Sequence, residues 1–185
     1  MNEVSKPTPD PRLGGRRIRS VVFDEETIQT RVRALGREIS AAFGADDRLL
    51  VLGLLKGSVL FMADLVRNLT LPVHVDFMVA SSYGDGMVSS GDVRLLYEPP
   101  AEIEGRSVLL VEDIVDSGAT LARLVPMLEG RGAAGVEVCA LLHKRLPTVD
   151  VDVRWVGFDA PNSFLVGYGL DHAEDFRHLP YIASL

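Results

Sequence analysis

Residues 108–120 read VLLVEDIVDSGAT. Together with Ser107, the run Val108-Leu109-Leu110-Val111 is short and apolar on both faces, as a central strand of a parallel sheet requires. The pattern predicts that the strand ends at Glu112-Asp113. Small and hydroxylated residues follow, and Leu121, Leu124, Val125 and Leu128 then recur at helical spacing up to Gly130. The segment is a strand that passes through a tight polar turn into a helix.

The flanking sequence repeats that order. Residues 24–43 predict a helix, with Asp24 as its cap, Glu25 and Glu26 in its first turn and Gly44 at its end. Ile28, Val32, Leu35, Ile39 and Phe43 form its apolar stripe. Residues 48–55 predict a second buried strand, broken at Lys56-Gly57-Ser58. Ser58 is the candidate cap of a helix with Val59, Met62, Leu65, Val66 and Leu69 on one side. In residues 73–79, Val73, Val75, Phe77 and Val79 alternate with His74, Asp76 and Met78, which predicts a strand with one apolar face. Residues 80–92 form a loop of small residues, 93–97 suit another strand, and 135–142 and 153–158 predict two more. Residues 164–185 hold a short strand, a polar turn and a final apolar segment. Strands alternating with helices predict an α/β fold with a mostly parallel central sheet flanked by helices. Ligands of such sheets bind beyond the carboxyl ends of the strands, which places Lys56-Gly57, residues 112–120 and Lys144 along one edge.

The chain's 185 residues suit one domain. Residues 1–17 combine Pro7, Pro9, Pro11, Gly14 and Gly15 with Arg12, Arg16 and Arg17, and Arg19 follows. They predict a mobile tail ahead of a single domain over 18–185. This basic cluster could serve as a nucleic-acid arm, but a solvated tail is the favoured reading. A net charge of −7 argues against non-specific binding to nucleic acid. No apolar stretch approaches the ~18–20 residues that cross a bilayer, and MNEVSKPTPD lacks the apolar centre of a signal peptide. The single cysteine, Cys139, lies in an apolar stretch and reads as a buried structural thiol in a reducing compartment. These features predict a cytoplasmic protein with no membrane and no nucleic-acid partner.

The 112–120 turn carries the chemistry. Backbone N–H groups at a helix start, with the hydroxyls of Ser117 and Thr120 on either side of Gly118 and Ala119, can cradle a phosphate. Gly118 lets the backbone approach closely. Three acids, Glu112, Asp113 and Asp116, directly before an anion site would repel a bare phosphate. They make sense for a ligand that also brings vicinal hydroxyls and a hard cation such as Mg²⁺. The segment contains neither GxxxxGK[ST] nor GxGxxG.

VLLVEDIVDSGATL (108–121) resembles the phosphoribosyl-pyrophosphate signature of type I phosphoribosyltransferases, and its acids are closest to the hypoxanthine-guanine branch. LLKGS (54–58), SSY (81–83), LLHKR (141–145), and FLVGYGLD (164–171) followed by Phe176-Arg177 match in the same order, from about residue 20 onward. The resemblance implies the type I fold with a small hood formed by the terminal segments, and a homodimer or homotetramer. It also implies Mg²⁺-dependent transfer of a ribose phosphate from phosphoribosyl pyrophosphate to hypoxanthine or guanine. On it, Asp116 accepts a proton from the purine, and Glu112, Asp113, Asp116, Ser117, Gly118, Ala119 and Thr120 bind the phosphoribosyl group. Lys56, Gly57 and Arg177 meet pyrophosphate, across a peptide before Lys56 that can be cis. Lys144, Phe164, Leu165 and Asp171 surround the purine, with Glu112, Asp113 and Asp171 on the metal and Ser82-Tyr83 in a lid.

Taken singly, Lys56, Asp171 and Arg177 read as solvated charges, Phe164 as a core aromatic and Asp116 as a helix cap. Arg145 is a second cation beside Lys144. His143 and His172 receive no role and read as surface histidines. Ala119 and Ser117 depart from the larger residue and the threonine common in relatives. A xanthine-preferring enzyme shares the 6-oxo group and is the nearest alternative; an adenine or pyrimidine enzyme fits Lys144 less well. A non-catalytic sensor of phosphoribosyl pyrophosphate is the alternative from another class. It would have no need of Asp116 as a proton acceptor, and the chain has no spare ~60–80 residues for a DNA-binding domain.

Overall fold

Asp24 caps the first long helix as its sequence predicts, its Oδ1 accepting the Thr27 N–H at 2.8 Å. The computed structural model describes residues 10–44, 47–82, 93–97, 102–146 and 151–185. Its elements run β1 (Ser20–Phe23), α1 (Glu25–Ala42), β2 (Leu50–Leu55), α2 (Val59–Val66), β3 (His74–Ser82), β4 (Val93–Tyr97), β5 (Ser107–Val115), α3 (Ala119–Gly130), β6 (Gly135–His143), β7 (Trp155–Asp159), β8 (Leu165–Val166) and β9 (Ile182–Ser184). A six-stranded sheet has the order β4-β3-β2-β5-β6-β7, parallel except for the β3–β4 pair. No helix among the described residues is long and apolar enough to cross a membrane.

Both sheet faces are buried, and the two-residue period of the strands explains which side chain goes where. Leu49 and Val51 share a cluster with the α1 stripe (Ile28, Val32, Leu35, Ile39) and with Phe61, Met62 and Leu65 of α2. Leu50, Leu52 and Leu54 share the opposite cluster with Leu121, Leu124 and Leu128 of α3. Cys139 of β6 is fully buried, and burial pushes its thiol pKa up.

The terminal segments form the hood, a three-stranded antiparallel sheet of order β1-β9-β8. No pattern in the sequence marks β1. It is four residues long with Val21 49% exposed, too short and too wet for a period to show. Residues 10–17, predicted as tail, make contacts instead. Leu13 packs on Val166, Phe176, Leu179 and Ala183, and the Tyr181 hydroxyl donates to Asp10 Oδ2 at 2.9 Å. Their partners lie at the far end of the chain, where no local pattern could reveal them. Residues 1–9 lie outside the described residues.

Three other expectations are corrected. β5 does not end at Glu112-Asp113; its ladder with β6 continues through Glu112↔Ala140, Ile114↔Leu142 and Val115↔His143. β3 has no single apolar face, for Met78 is fully buried while Val75 is 47% exposed. Ser58 stands at the start of α2 without capping it by its side chain; its buried hydroxyl donates back to Leu54 O at 2.6 Å. That difference is measurable. Ser58→Ala is expected to cost about 1 kcal/mol. Ser58→Asp, a good cap but no donor, should cost about 3 kcal/mol or more through an unpaired buried carboxylate. Urea denaturation of the two variants checks the order; a Ser58→Asp protein as stable as wild type, or more so, would indicate capping after all.

Candidate active site

β2, β5 and β6 end side by side, and the loops that leave them converge. Successive strand residues face opposite sides, so the lengthened β5 separates its two acids. Glu112 lines a cavity of about 90 Å³ with Val115, Asp116, Ser117, Gly118, Ala119 and Thr120. Asp113 turns instead toward the loop after β2, where its Oδ2 occupies the space that a Cβ on Gly57 would need. Burial and the charge of Asp113 hold Glu112 well above the usual carboxylate range. Burial, opposed by backbone hydrogen bonds and by Arg177, pushes Asp113 up to about 6.

The turn after β5 leaves the start of α3 open. Gly118 is the N-cap residue at φ 74°, and no side chain caps the helix; Ser117 Oγ only accepts the Ala119 N–H, at 3.4 Å. Asp116 therefore does not cap α3. The first N–H groups of a helix need partners, and the helix dipole favours an anion there. Asp116 instead meets Lys144, whose Nζ donates to its Oδ2 at 2.7 Å. The Lys144 N–H donates to Val115 O at 3.0 Å, tying the ends of β5 and β6 together. Arg145 points elsewhere, its Nε donating to Asp159 Oδ1 at 2.7 Å. His143 is buried rather than on the surface, its Nδ1 accepting the Arg145 N–H at 2.7 Å. Burial, with the charge of Arg145, lowers its pKa.

A second group gathers around the loop after β2. The Leu55–Lys56 peptide is cis. Lys56 Nζ pairs with Glu174 Oε2 at 3.0 Å. Gly169, at φ +100°, lies so close to Gly57 O that a Cβ would collide with it. Arg177 donates from Nη1 to Gly169 O at 2.8 Å and pairs through Nη2 with Asp171 Oδ1 at 2.8 Å. Its Nε is buried with no hydrogen-bond partner among the described residues. An unpaired buried donor is costly and points to an acceptor that the protein does not supply. Asp171 Oδ2 also accepts the Glu174 N–H at 2.9 Å.

Phe164 is not a core residue; it is 56% exposed, and its ring meets His172 edge-on, centroids 5.5 Å apart. Leu165 is buried in β8, opposite Ser184. Ser82 ends β3, and Tyr83 lies outside the described residues. Glu174 was missed by sequence reading, since only the fold brings it to Lys56, 118 residues away.

A parallel sheet with an open helix start at its carboxyl edge is the kind of arrangement that binds phosphorylated ligands. The family model described as a phosphoribosyl transferase domain matches residues 22–173, and the chain belongs to that family. The hypoxanthine phosphoribosyltransferase of Salmonella typhimurium is 44% identical over 167 residues, covering 89% of this chain and 94% of that protein. The hypoxanthine-guanine phosphoribosyltransferase of Streptococcus agalactiae is 45% identical over 171 residues, covering 91% and 93%. The crystal structure of a hypoxanthine-guanine phosphoribosyltransferase from Bacillus anthracis superposes with a TM-score of 0.86 at 39% identity, covering 91% of this chain and 99% of that one. The chain also matches bifunctional TilS/HprT proteins of Listeria, spanning 26% of the Listeria innocua protein at 45% identity.

The two glycines should separate by phenotype. Gly169→Ala forces a side chain into backbone at positive φ and is expected to cost about 2–4 kcal/mol. Gly57→Ala displaces only a carboxylate. It should cost about 1 kcal/mol in stability but lower phosphoribosyl transfer about 100-fold, as a misplaced group at a reacting centre does. Thermal unfolding and initial rates on the two variants check this; equal effects of both on stability would contradict it.

Proposed function

We propose that this chain transfers the 5-phosphoribosyl group from phosphoribosyl pyrophosphate to hypoxanthine or guanine, giving IMP or GMP and pyrophosphate in purine salvage. The observation that carries the reading is the Lys144–Asp116 pair at 2.7 Å beside an uncapped helix start. A 6-oxopurine presents O6 and N7 as neighbours on one edge. A lysine donor next to a carboxylate acceptor complements that edge when N7 bears the proton, and the exocyclic amine of adenine would face a donor instead. A xanthine-preferring enzyme would use the same pair, and the base panel below separates it.

In the reaction the C1–N9 bond forms as the bond from C1 to the pyrophosphate oxygen breaks. The proton on N7 passes to Asp116, which gives up its ion pair with Lys144 to receive it. Lys144 donates to O6, and the exposed ring of Phe164 stacks on the base, with Leu165 at the base edge. Ser117, Gly118, Ala119 and Thr120 hold the 5-phosphate at the start of α3. Lys56, the Gly57 backbone and Arg177 take the pyrophosphate, the buried Nε of Arg177 finding its acceptor there. Ser82 and Tyr83 belong to a lid that keeps water from the activated ribose.

Of the three acids expected on the metal, Asp113 and Asp171 act on one another near Arg177 and would hold Mg²⁺ there, while Glu112 faces the cavity at the start of α3. Carboxylate oxygens are hard ligands, and two of them suit an ion that keeps waters and shares ligands with substrate phosphates. When bound, Mg²⁺ neutralises charge on the leaving pyrophosphate. We place the enzyme in the cytoplasm, as a homodimer or homotetramer.

The test is a base panel. Full-length protein with phosphoribosyl pyrophosphate and Mg²⁺ should form nucleotide from hypoxanthine and guanine, and little from adenine or uracil. A rate with xanthine above both would favour the alternative specificity. No nucleotide from any base would leave the sensor reading. Asp116→Asn should lower kcat by about 100-fold or more with a smaller change in affinity for phosphoribosyl pyrophosphate; equal losses would make Asp116 a binding group.

A further inference from the structure

Two arginines of the basic cluster near the N-terminus, Arg12 and Arg16, are engaged by other side chains. Arg12 pairs with Asp10 at 3.0 Å and lies 6.0 Å from the Tyr181 ring centroid. Arg16 pairs with Asp175 and stands 5.4 Å from the Phe176 ring centroid. His178 Nε2 lies 3.1 Å from Arg12 O. Residues 10–16 precede the family match at residues 22–173, yet they grip residues 175–181, the stretch that bears Arg177.

We propose that Arg16 is a positioning residue for Arg177, holding the Asp175–Phe176 turn so that the guanidinium of Arg177 is set for the pyrophosphate part of the donor. The inference rests on the assignment of Arg177 to pyrophosphate made above. Ala173, Glu174 and Phe176 have φ of 52°, 68° and 75°. L-residues avoid this left-handed region, and such backbone persists only where its surroundings fix it. His172 and Asp175 close the turn by exchanging backbone hydrogen bonds of 3.2 and 3.1 Å. From outside, Arg16 engages the two residues directly before Arg177, one through its carboxylate and the other through its ring. Arg16 also holds the Asp175 carboxyl below its usual range.

The same turn carries Glu174, which pairs with Lys56 at 3.0 Å. Both cationic side chains assigned to pyrophosphate therefore meet this turn. An exposed ion pair adds little to global stability, so losing Arg16 should show in ligand binding more than in the unfolding midpoint.

Calorimetric titration of the full-length protein with magnesium pyrophosphate, beside steady-state kinetics, tests this. For Arg16→Ala the Kd for pyrophosphate and the KM for phosphoribosyl pyrophosphate should rise about five- to tenfold. The KM for hypoxanthine and kcat should stay within about twofold, and Arg16→Lys should restore most of the loss. Asp175→Asn should reproduce the shift, and it carries the test if Arg16→Ala does not fold. An unchanged pyrophosphate Kd in the folded variant, or equal rises in KM for donor and base, would overturn the role of Arg16. Wild-type protein that binds no pyrophosphate and forms no nucleotide would remove the proposed function itself, and the role of Arg16 with it.

Discussion

Three loops that are far apart in sequence meet where two residues have no side chain. The Asp113 carboxylate fills the space in which Gly57 would carry a Cβ, and Gly57 O fills the space in which Gly169 would carry one. The end of β5, the loop after β2 and the loop after β8 can touch only on those terms. The contact sets much of the rest. It buries Asp113 and so raises its pKa. It fixes the Gly169 carbonyl that holds Arg177, and it sets Lys56 next to the turn that carries Glu174. The central sheet makes the meeting possible by ending β2, β5 and β6 together.

Electrostatics at this edge follows from the same crowding. Carboxylates held out of water resist ionisation, and burial lifts both Glu112 and Asp113 above their ordinary range. Arg177 opposes the effect for Asp113 by lowering its pKa. Asp116, more exposed, has Lys144 as its own counter-charge. One edge thus separates into an acid-rich half beside the loop after β2 and an ion-paired half beside β6. The half beside the loop after β2 also carries the cations Lys56 and Arg177, paired with Glu174 and Asp171.

The α/β order was legible in the sequence because strands buried on both faces and helices with one stripe leave different periods, as in 107–111 and in Ile28 to Phe43. The motif residues were legible because small, acidic and hydroxylated residues crowd into 112–120 with few structural reasons to do so. What failed were features decided by distant partners. β5 runs on to Val115 because β6 supplies the ladder. Ser58 turns from capping to Leu54 O because α2 begins in a buried place. Residues 10–17 look like tail until Tyr181, Asp175 and the cluster around Phe176 are set beside them. Phe164 reads as core by type, and only the fold shows its ring standing in solvent against His172.

Where local rules are broken is itself informative. The α1 helix is capped by Asp24, carries acids in its first turn and buries one stripe, and every level of description agrees. At the carboxyl edge the levels disagree. α3 starts without a side-chain cap, three residues of one turn are left-handed without being glycine, two acids are held out of their usual range, and a guanidinium nitrogen is buried without a partner among the described residues. Each feature costs folding free energy, and a chain selected for stability alone would lose them. They stand together around one set of strand ends, away from the apolar core. Under the function proposed above, an anion on the open helix start and an acceptor for Arg177 Nε would satisfy two of these features at once.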